Sequence, residues 1–118
     1  MAEHNTLGKR GEEVAIKFLR SNNYQILETS WHFHHKEIDI IAKKDDVLIF
    51  VEVKTRTTDY WGNPEEFVTK TKQRYLIQAA EHYIETINHK GETRFDVISI
   101  LFEHFEFTVE HIERAFFP

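Results

Sequence analysis

The chain reads as a mixed α/β domain, a central sheet of about five strands flanked by helices, with its elements in the order α-β-β-β-α-β-β. Three observations point there. Two long stretches repeat apolar residues at helical spacing. Short runs rich in β-branched and aromatic residues, bounded by Asn, Gly or charged turns, fill the rest. The second helical stretch separates the third such run from the fourth, the arrangement of a strand-helix-strand crossover between parallel strands. At 118 residues the chain can bury one core and has little room for a second, so residues 1–118 are read as a single domain.

Leu7, Gly11, Val14, Ala15, Phe18 and Leu19 define the first helix, from about Thr6 as N-cap to Ser21, with Ser21-Asn22-Asn23 as its stop. Gly8 and Gly11 lie on its first turns, where they let another backbone or a ligand come close. Steps of 100° put Glu12 on the shoulder of the apolar stripe, in line with Leu19, and Glu13 in solvent beside Lys17. Tyr24–Trp31 is the first strand, and His32–Lys36 links it to the second, Glu37–Ala42. The charged turn Lys43-Lys44-Asp45-Asp46 makes an antiparallel hairpin with the third, Val47–Thr55. The segment Thr57–Pro64 is irregular, and its Tyr60 and Trp61 admit two readings, a ligand surface or a cap on the core. A long helix from Pro64 or Glu65 to Ile87 follows, its stripe being Val68, Leu76, Ala79, Ala80, Tyr83, Ile84 and Ile87. After a turn at Asn88–Gly91 come a fourth strand, Phe95–Leu101, and a fifth, Phe105–Ile112, with Ala115–Pro118 expected to tuck aromatics onto the core.

Composition narrows the function. There is no cysteine, which excludes disulfides, zinc-thiolate sites and thiol catalysis. Residues 1–5 lack the basic start and apolar core of a signal peptide, and no apolar run approaches the roughly twenty residues that span a bilayer. The expectation is a soluble cytoplasmic protein with no membrane partner. A net charge of −5 argues against coating nucleic acid by bulk electrostatics. It leaves room for a local basic surface, since Arg56, Lys70, Lys72 and Arg74 fall close together with Lys54.

The third strand carries the chemistry. Its uninterrupted apolar run is that of a strand buried on both faces, yet it ends in Glu52 and Lys54, which share a face with Leu48 and Phe50. Charges on such a strand are paired or metal-bound. Glu37 and Asp39 likewise share a face of the second strand, and Asp39 and Glu52 end neighbouring strands of the hairpin, so their carboxylates can converge. Carboxylate oxygens completed by water suit Mg²⁺ or Mn²⁺, and such an ion polarises a phosphoryl oxygen and acidifies a bound water. Lys54 is placed to orient that water or offset transition-state charge, and Glu12 to add a ligand or hold a water. On spacing alone a structural ion-pair network accounts for the same residues equally well. Lys72, the one polar place in the second helix's stripe, either snorkels past Val68 and Leu76 or contacts phosphate, and Gln73 is similar. His32, His34 and His35 invite a zinc reading but lack a third ligand at diagnostic spacing, and His82, His89, His104 and His111 read as surface residues. Asp96 closes a hydrogen bond or ion pair with Arg94 or Arg56.

Asp39, twelve residues, then Glu52-Val53-Lys54 resembles the PD-(D/E)xK nuclease motif. Nearly the whole chain resembles the bacterial YraN-like family of predicted endonucleases. The matching pieces are Gly8–Glu12, Glu37–Ile41, Phe50–Arg56, Val68-Thr69 with Lys72-Gln73, Arg94–Val97 and Ile112–Phe116. Lys36 stands where many relatives have glycine, and Ile38 where the broader superfamily often has proline. That family is similar to archaeal Holliday junction resolvases and restriction-endonuclease-like folds. The resemblance implies a restriction-endonuclease-like sheet and metal-dependent hydrolysis of DNA, with branched or damaged DNA as candidate substrate. By motif position it implies Glu12, Asp39, Glu52 and Lys54 as the catalytic set, with Mg²⁺ or Mn²⁺ on Asp39, Glu52 and Glu12, and Glu37 in a supporting place. Arg56, Lys70, Lys72, Gln73 and Arg74 are the candidate DNA contacts, whose binding should weaken with salt. A homodimer would suit two cuts on a symmetric junction. The competing expectation is an inactive nucleic-acid- or protein-binding module on the same fold.

Overall fold

The computed structural model describes residues 2–57 and 68–118, and side chains from residue 6 on. Its elements are α1 (Ala2–Ser21), β1 (Gln25–Phe33), β2 (Lys36–Lys44), β3 (Val47–Arg56), α2 (Lys70–Ile87), β4 (Thr93–Glu103) and β5 (Glu106–Phe116). This is the α-β-β-β-α-β-β order expected from the sequence. The strands form one sheet in the order β1-β2-β3-β4-β5. Neighbours are antiparallel except β3 and β4, which run parallel on either side of the α2 connection.

The two helices cover opposite faces. Ala15 and Leu19 of α1 pack with Ile40, Ala42, Ile49, Val51, Ile98 and Ile100, while Leu76, Ala79, Ala80 and Tyr83 of α2 pack with Ile41, Leu48, Phe50, Phe95 and Val97. The central strands are therefore buried on both sides, as their continuous apolar runs require. Each Ile or Leu so enclosed contributes about 1.5–3 kcal/mol, which makes the middle of the sheet a rigid base for whatever its strand ends carry. No helix among the described residues is long and apolar enough to cross a membrane.

Several boundaries differ from the sequence expectations, each for a local reason. The first helix starts at Ala2, so Thr6 is inside it and not its cap; no Pro or Gly precedes Thr6 to break the helical turn. Position 64, Glu65, Tyr60 and Trp61 lie outside the described residues. Val68 and Thr69 precede α2, which is capped by Thr69 in extended conformation, its hydroxyl accepting from the Lys72 N–H at 3.1 Å. Val68 is still buried in the α2-side core, so its helical spacing from Leu76 is coincidental. At the other end Asn88 takes the left-handed conformation, φ 57°, and closes the helix.

The hairpin turn narrows to Asp45-Asp46 (φ 51° and 67°) because Lys43 and Lys44 pair with Leu48 and Val47. His104 and Phe105 make the second such turn (φ 50° and 67°), which moves the start of β5 past Phe105. Phe116 joins the core and stacks on Phe95 at 5.1 Å, whereas Phe117 is exposed. A bulge in β5 opposite Phe95 and Val97 turns the Arg114 N–H onto the Asp96 carboxylate at 3.1 Å.

Two features position the site. The β2–β3 ladder ends at Ile40 opposite Val51, so Asp39 and Glu52 stand opposite each other one step beyond the last pair. The α1 helix crosses the end of β3 at Gly11, where a Cβ would lie 1.9 Å from the Thr55 hydroxyl and within about 3.2 Å of its other side-chain carbons. That absence of a side chain lets the helix lie close to the strand and brings Glu12, its next residue, to the sheet end.

Candidate metal centre

Where the β2–β3 ladder stops, the Asp39 carboxylate replaces the missing backbone partner, accepting from the Val53 N–H at 2.8 Å. Glu12 from α1 and Glu37 from β2 converge on it: one carboxylate oxygen from each of the three lies within 4.8 Å of the others. Glu12 also accepts from the Ser30 hydroxyl at 3.5 Å, and Glu37 pairs with His32 Nε2 at 2.8 Å, directly across the β1–β2 ladder.

Glu52 enters from the α2 side of β3. It is 5% exposed, and its two oxygens meet different surroundings. Oε2 lies 3.6 Å from both the Lys54 and the Lys72 ammonium. Oε1 is buried without a hydrogen-bond partner, an arrangement that costs free energy unless a proton or cation completes it.

The electrostatics follow from this crowding. Burial pushes the Asp39 carboxyl up, the Glu52 charge pushes it further, and the Val53 N–H only partly opposes them, so that it is raised to about 8. A hydrogen bond between the Asp39 and Glu52 carboxyl groups, available only while one keeps its proton, adds to the rise. Glu12 is raised as well, by burial first and by the Glu37 charge second. Four carboxylates face two ammonium groups, and the excess is negative.

The donor set fits a hard divalent cation. Every candidate ligand is oxygen, and around an ion bound at about 2.0–2.1 Å adjacent oxygens stand about 2.9 Å apart and opposite ones about 4 Å, so a set within 4.8 Å would draw together by up to about 2 Å. Asp39, Glu12 and Glu37 would hold such an ion; Glu52, which the sequence placed among the ligands, lies outside that three-oxygen group but acts on Asp39 and keeps Oε1 buried and unpaired. The histidines do not suit zinc: His32 is engaged by Glu37, and His34 sits at a positive-φ turn against Phe33. Among the described residues no histidine joins a metal-ligating cluster.

The other site candidates divide. Lys54 lies on Glu52, on the strand face the sequence implied. The Thr69 cap sets the phase of α2 so that the Lys72 ammonium reaches Glu52 at 3.6 Å. Gln73 donates to the Val68 carbonyl at 3.0 Å and belongs to the same helix start. Lys70 and Arg74 are exposed on α2. Arg56 donates from Nε to the Ser99 hydroxyl at 3.4 Å. Glu37, given only a supporting place by sequence, is a full member of the acidic cluster; its alternation with Asp39 was the available signal.

Asp96 belongs to a separate network on the α1 face. It is fully buried and accepts from Arg94 (2.9 Å), His111 Nε2 (2.7 Å) and the Arg114 N–H. Burial would raise its pKa, but the His111 and Arg94 hydrogen bonds prevail and hold it below the usual carboxylate value. His111 is therefore no surface residue: its side chain is 10% exposed and packs against Phe18 and Tyr24.

Comparison with known proteins adds a family. The family model for "Uncharacterised protein family UPF0102" matches residues 11–100. A UPF0102 protein of Flavobacterium psychrophilum is 46% identical over 117 residues, covering 99% of this chain and 98% of the relative. One of Christiangramia forsetii is 46% identical over 117 residues, with the same coverage. One of Phocaeicola vulgatus is 44% identical over 118 residues, covering 100% of this chain and 98% of the relative.

Proposed function

The chain belongs to the UPF0102 family, and we propose that it is a metal-dependent endonuclease hydrolysing phosphodiester bonds in DNA, with the restriction-endonuclease-like, PD-(D/E)xK lineage that its motif resembles. The observation that carries this reading is the meeting of Asp39, Glu12 and Glu37 beside a buried Glu52 oxygen that has no partner. Branched or damaged DNA is the substrate class the resemblance favours.

In this reading Asp39, Glu12, Glu37 and Glu52 hold Mg²⁺ or Mn²⁺. The bound ion supplies charge stabilisation at the phosphoryl group and a more acidic water. Lys54, 3.6 Å from Glu52 and partly open to solvent, orients the attacking water. Lys72 of α2 lies 3.6 Å from the same carboxylate oxygen and offsets charge on the phosphate. The Val53 N–H holds Asp39 in place, and the rigid β3 strand fixes the separation of acids and lysines. Exposed Lys70 and Arg74, with Arg56, give the DNA backbone a basic approach despite the negative net charge.

A second reading has one observation in its favour. Two lysines already pair with Glu52, as in a structural ion-pair network, and a domain of that kind would bind without cleaving. Incubating four-way junction and duplex DNA with the protein in Mg²⁺ separates the two. Cleavage that falls by at least about 100-fold in both Asp39→Ala and Glu52→Ala, the scale of losing a principal charge-stabilising group, supports the nuclease. Activity that persists in both variants rejects it.

A further inference from the structure

Beside the acidic cluster lies an aromatic and basic surface that neither the motif nor the family match assigns. Tyr75 is 42% exposed on α2, one helical turn beyond Lys72, the residue that reaches Glu52. The Lys36 ammonium sits 5.6 Å from its ring and 5.9 Å from that of Phe33. Lys36 directly precedes Glu37 of the acidic cluster. Further along α2, two turns from Tyr75, the exposed His82 ring stacks on Phe33 at 4.1 Å and 24°. Tyr75 thus adjoins the site through α2, one turn from the Lys72 that reaches Glu52, whereas Lys36 and Glu37, adjacent on β2, project to opposite faces.

Core packing accounts for only part of this. Trp31 and Phe33 are half-buried and pack against the α2-side core. Tyr75 does not: it points out of the stripe that Leu76, Ala79 and Tyr83 bury, and no packing need explains a large ring held open under a cation. An exposed ring paired with an ammonium is the chemistry that receives an unstacked nucleobase and its phosphate, the base displacing the cation from the ring or taking its other face, since stacking is sequence-tolerant and the charge tracks the backbone. A paired base offers no free face to such a ring.

We propose that Tyr75 and Lys36, backed by Phe33, form a stacking platform for an unpaired nucleotide next to the phosphate held at the acidic cluster. The substrate is accordingly DNA with a single-stranded stretch at the cleavage point. This rests on the nuclease reading for its second half and on binding chemistry alone for its first.

Binding measured in EDTA separates the two, because no cleavage intervenes. The probes are a single-stranded DNA oligonucleotide carrying 2-aminopurine, its blunt duplex, and the same strand as RNA. The wild-type chain should bind the single-stranded DNA more tightly than the duplex and quench the 2-aminopurine. Tyr75→Ala should lose about tenfold or more on the single strand, the scale of one base–aromatic stack, with little change on the duplex. Tyr75→Phe, which keeps the ring, should bind as the wild type does, and Lys36→Ala should weaken the single strand and flatten its salt dependence. Equal single-strand affinity in wild type and Tyr75→Ala, or equal losses on strand and duplex, overturns the platform while leaving the nuclease reading intact. Tighter binding of the RNA strand overturns DNA as its occupant. Absence of any single-strand binding overturns the platform, while the nuclease reading is tested separately by cleavage in Mg²⁺.

Discussion

Glu52 presents one oxygen to two lysines and keeps the other buried with no partner when both carboxylates are ionised, and burial and the Glu52 charge push the Asp39 carboxyl, facing it across the end of the hairpin, up to about 8. A carboxyl held so far above the roughly 3.9 of an unfolded chain makes a stability prediction. Between the two values the folded chain binds a proton that the unfolded chain has released. Stability therefore falls as pH rises through that window. Denaturant titrations of the ion-free protein at pH 5 and pH 8 should show the lower midpoint at pH 8. Asp39→Asn, which cannot ionise, should reduce the difference. An equal or larger difference in the variant would mean that Asp39 is not the strained group. Sequence made the Asp39–Glu52 encounter legible, because a short turn between two apolar runs sets which residues face each other at the strand ends. It could not show which Glu52 oxygen the lysines take, since that depends on where α2 starts. Periodicity ran unbroken back through Val68, whereas the Thr69 cap starts the helix at Lys70 and turns Lys72 inward.

At the scale of elements, the site is built where α1 meets β3 rather than within any one of them. Gly11 is the contact. All three side-chain atoms of Thr55 crowd the place where its Cβ would be, so rotating Thr55 does not make room and the helix must move away. Gly11→Ala is expected to cost about 1–3 kcal/mol, the range for overpacking a tight contact. It should also weaken divalent-ion binding by displacing Glu12, whereas Gly8→Ala, with open space around it, should do neither. Thermal melts with and without Mg²⁺ check this, and a Gly11→Ala protein with unchanged stability and ion response would refute the contact's role. The helical spacing around Gly11 announced close packing but not its partner. The Asp96 network shows the same boundary of sequence reading. Arg94 is two residues away, within reach of inspection, but His111 and the Arg114 N–H arrive from β5 through a bulge, and no local pattern marks that pairing. A histidine that reads as exposed is therefore mostly enclosed, its side chain 10% exposed.

For the whole molecule, three layers divide the labour. The sheet's apolar middle supplies rigidity, α1 brings an acid to one end of the central hairpin, and α2 brings Lys72 to the same end with an aromatic and basic face beyond it. The element order was readable because each buried strand and each amphipathic helix carries its own period. The convergence of ends was readable only in part, because it depends on ladder register and on helix phase. This arrangement places negative charge at the centre and positive charge around it, so a chain of net charge −5 can still present a phosphate-facing surface once a cation neutralises the acids. The central claim is that the acids form one site for a divalent cation. Calorimetric titration of the full chain with Mn²⁺, repeated with Mg²⁺, tests it most directly. The chain should bind one ion at millimolar affinity or tighter, lose that binding in Asp39→Asn, and bind more weakly in Glu12→Gln and Glu37→Gln. No binding by the wild-type chain at millimolar ion, or binding that Asp39→Asn leaves unchanged, would contradict it.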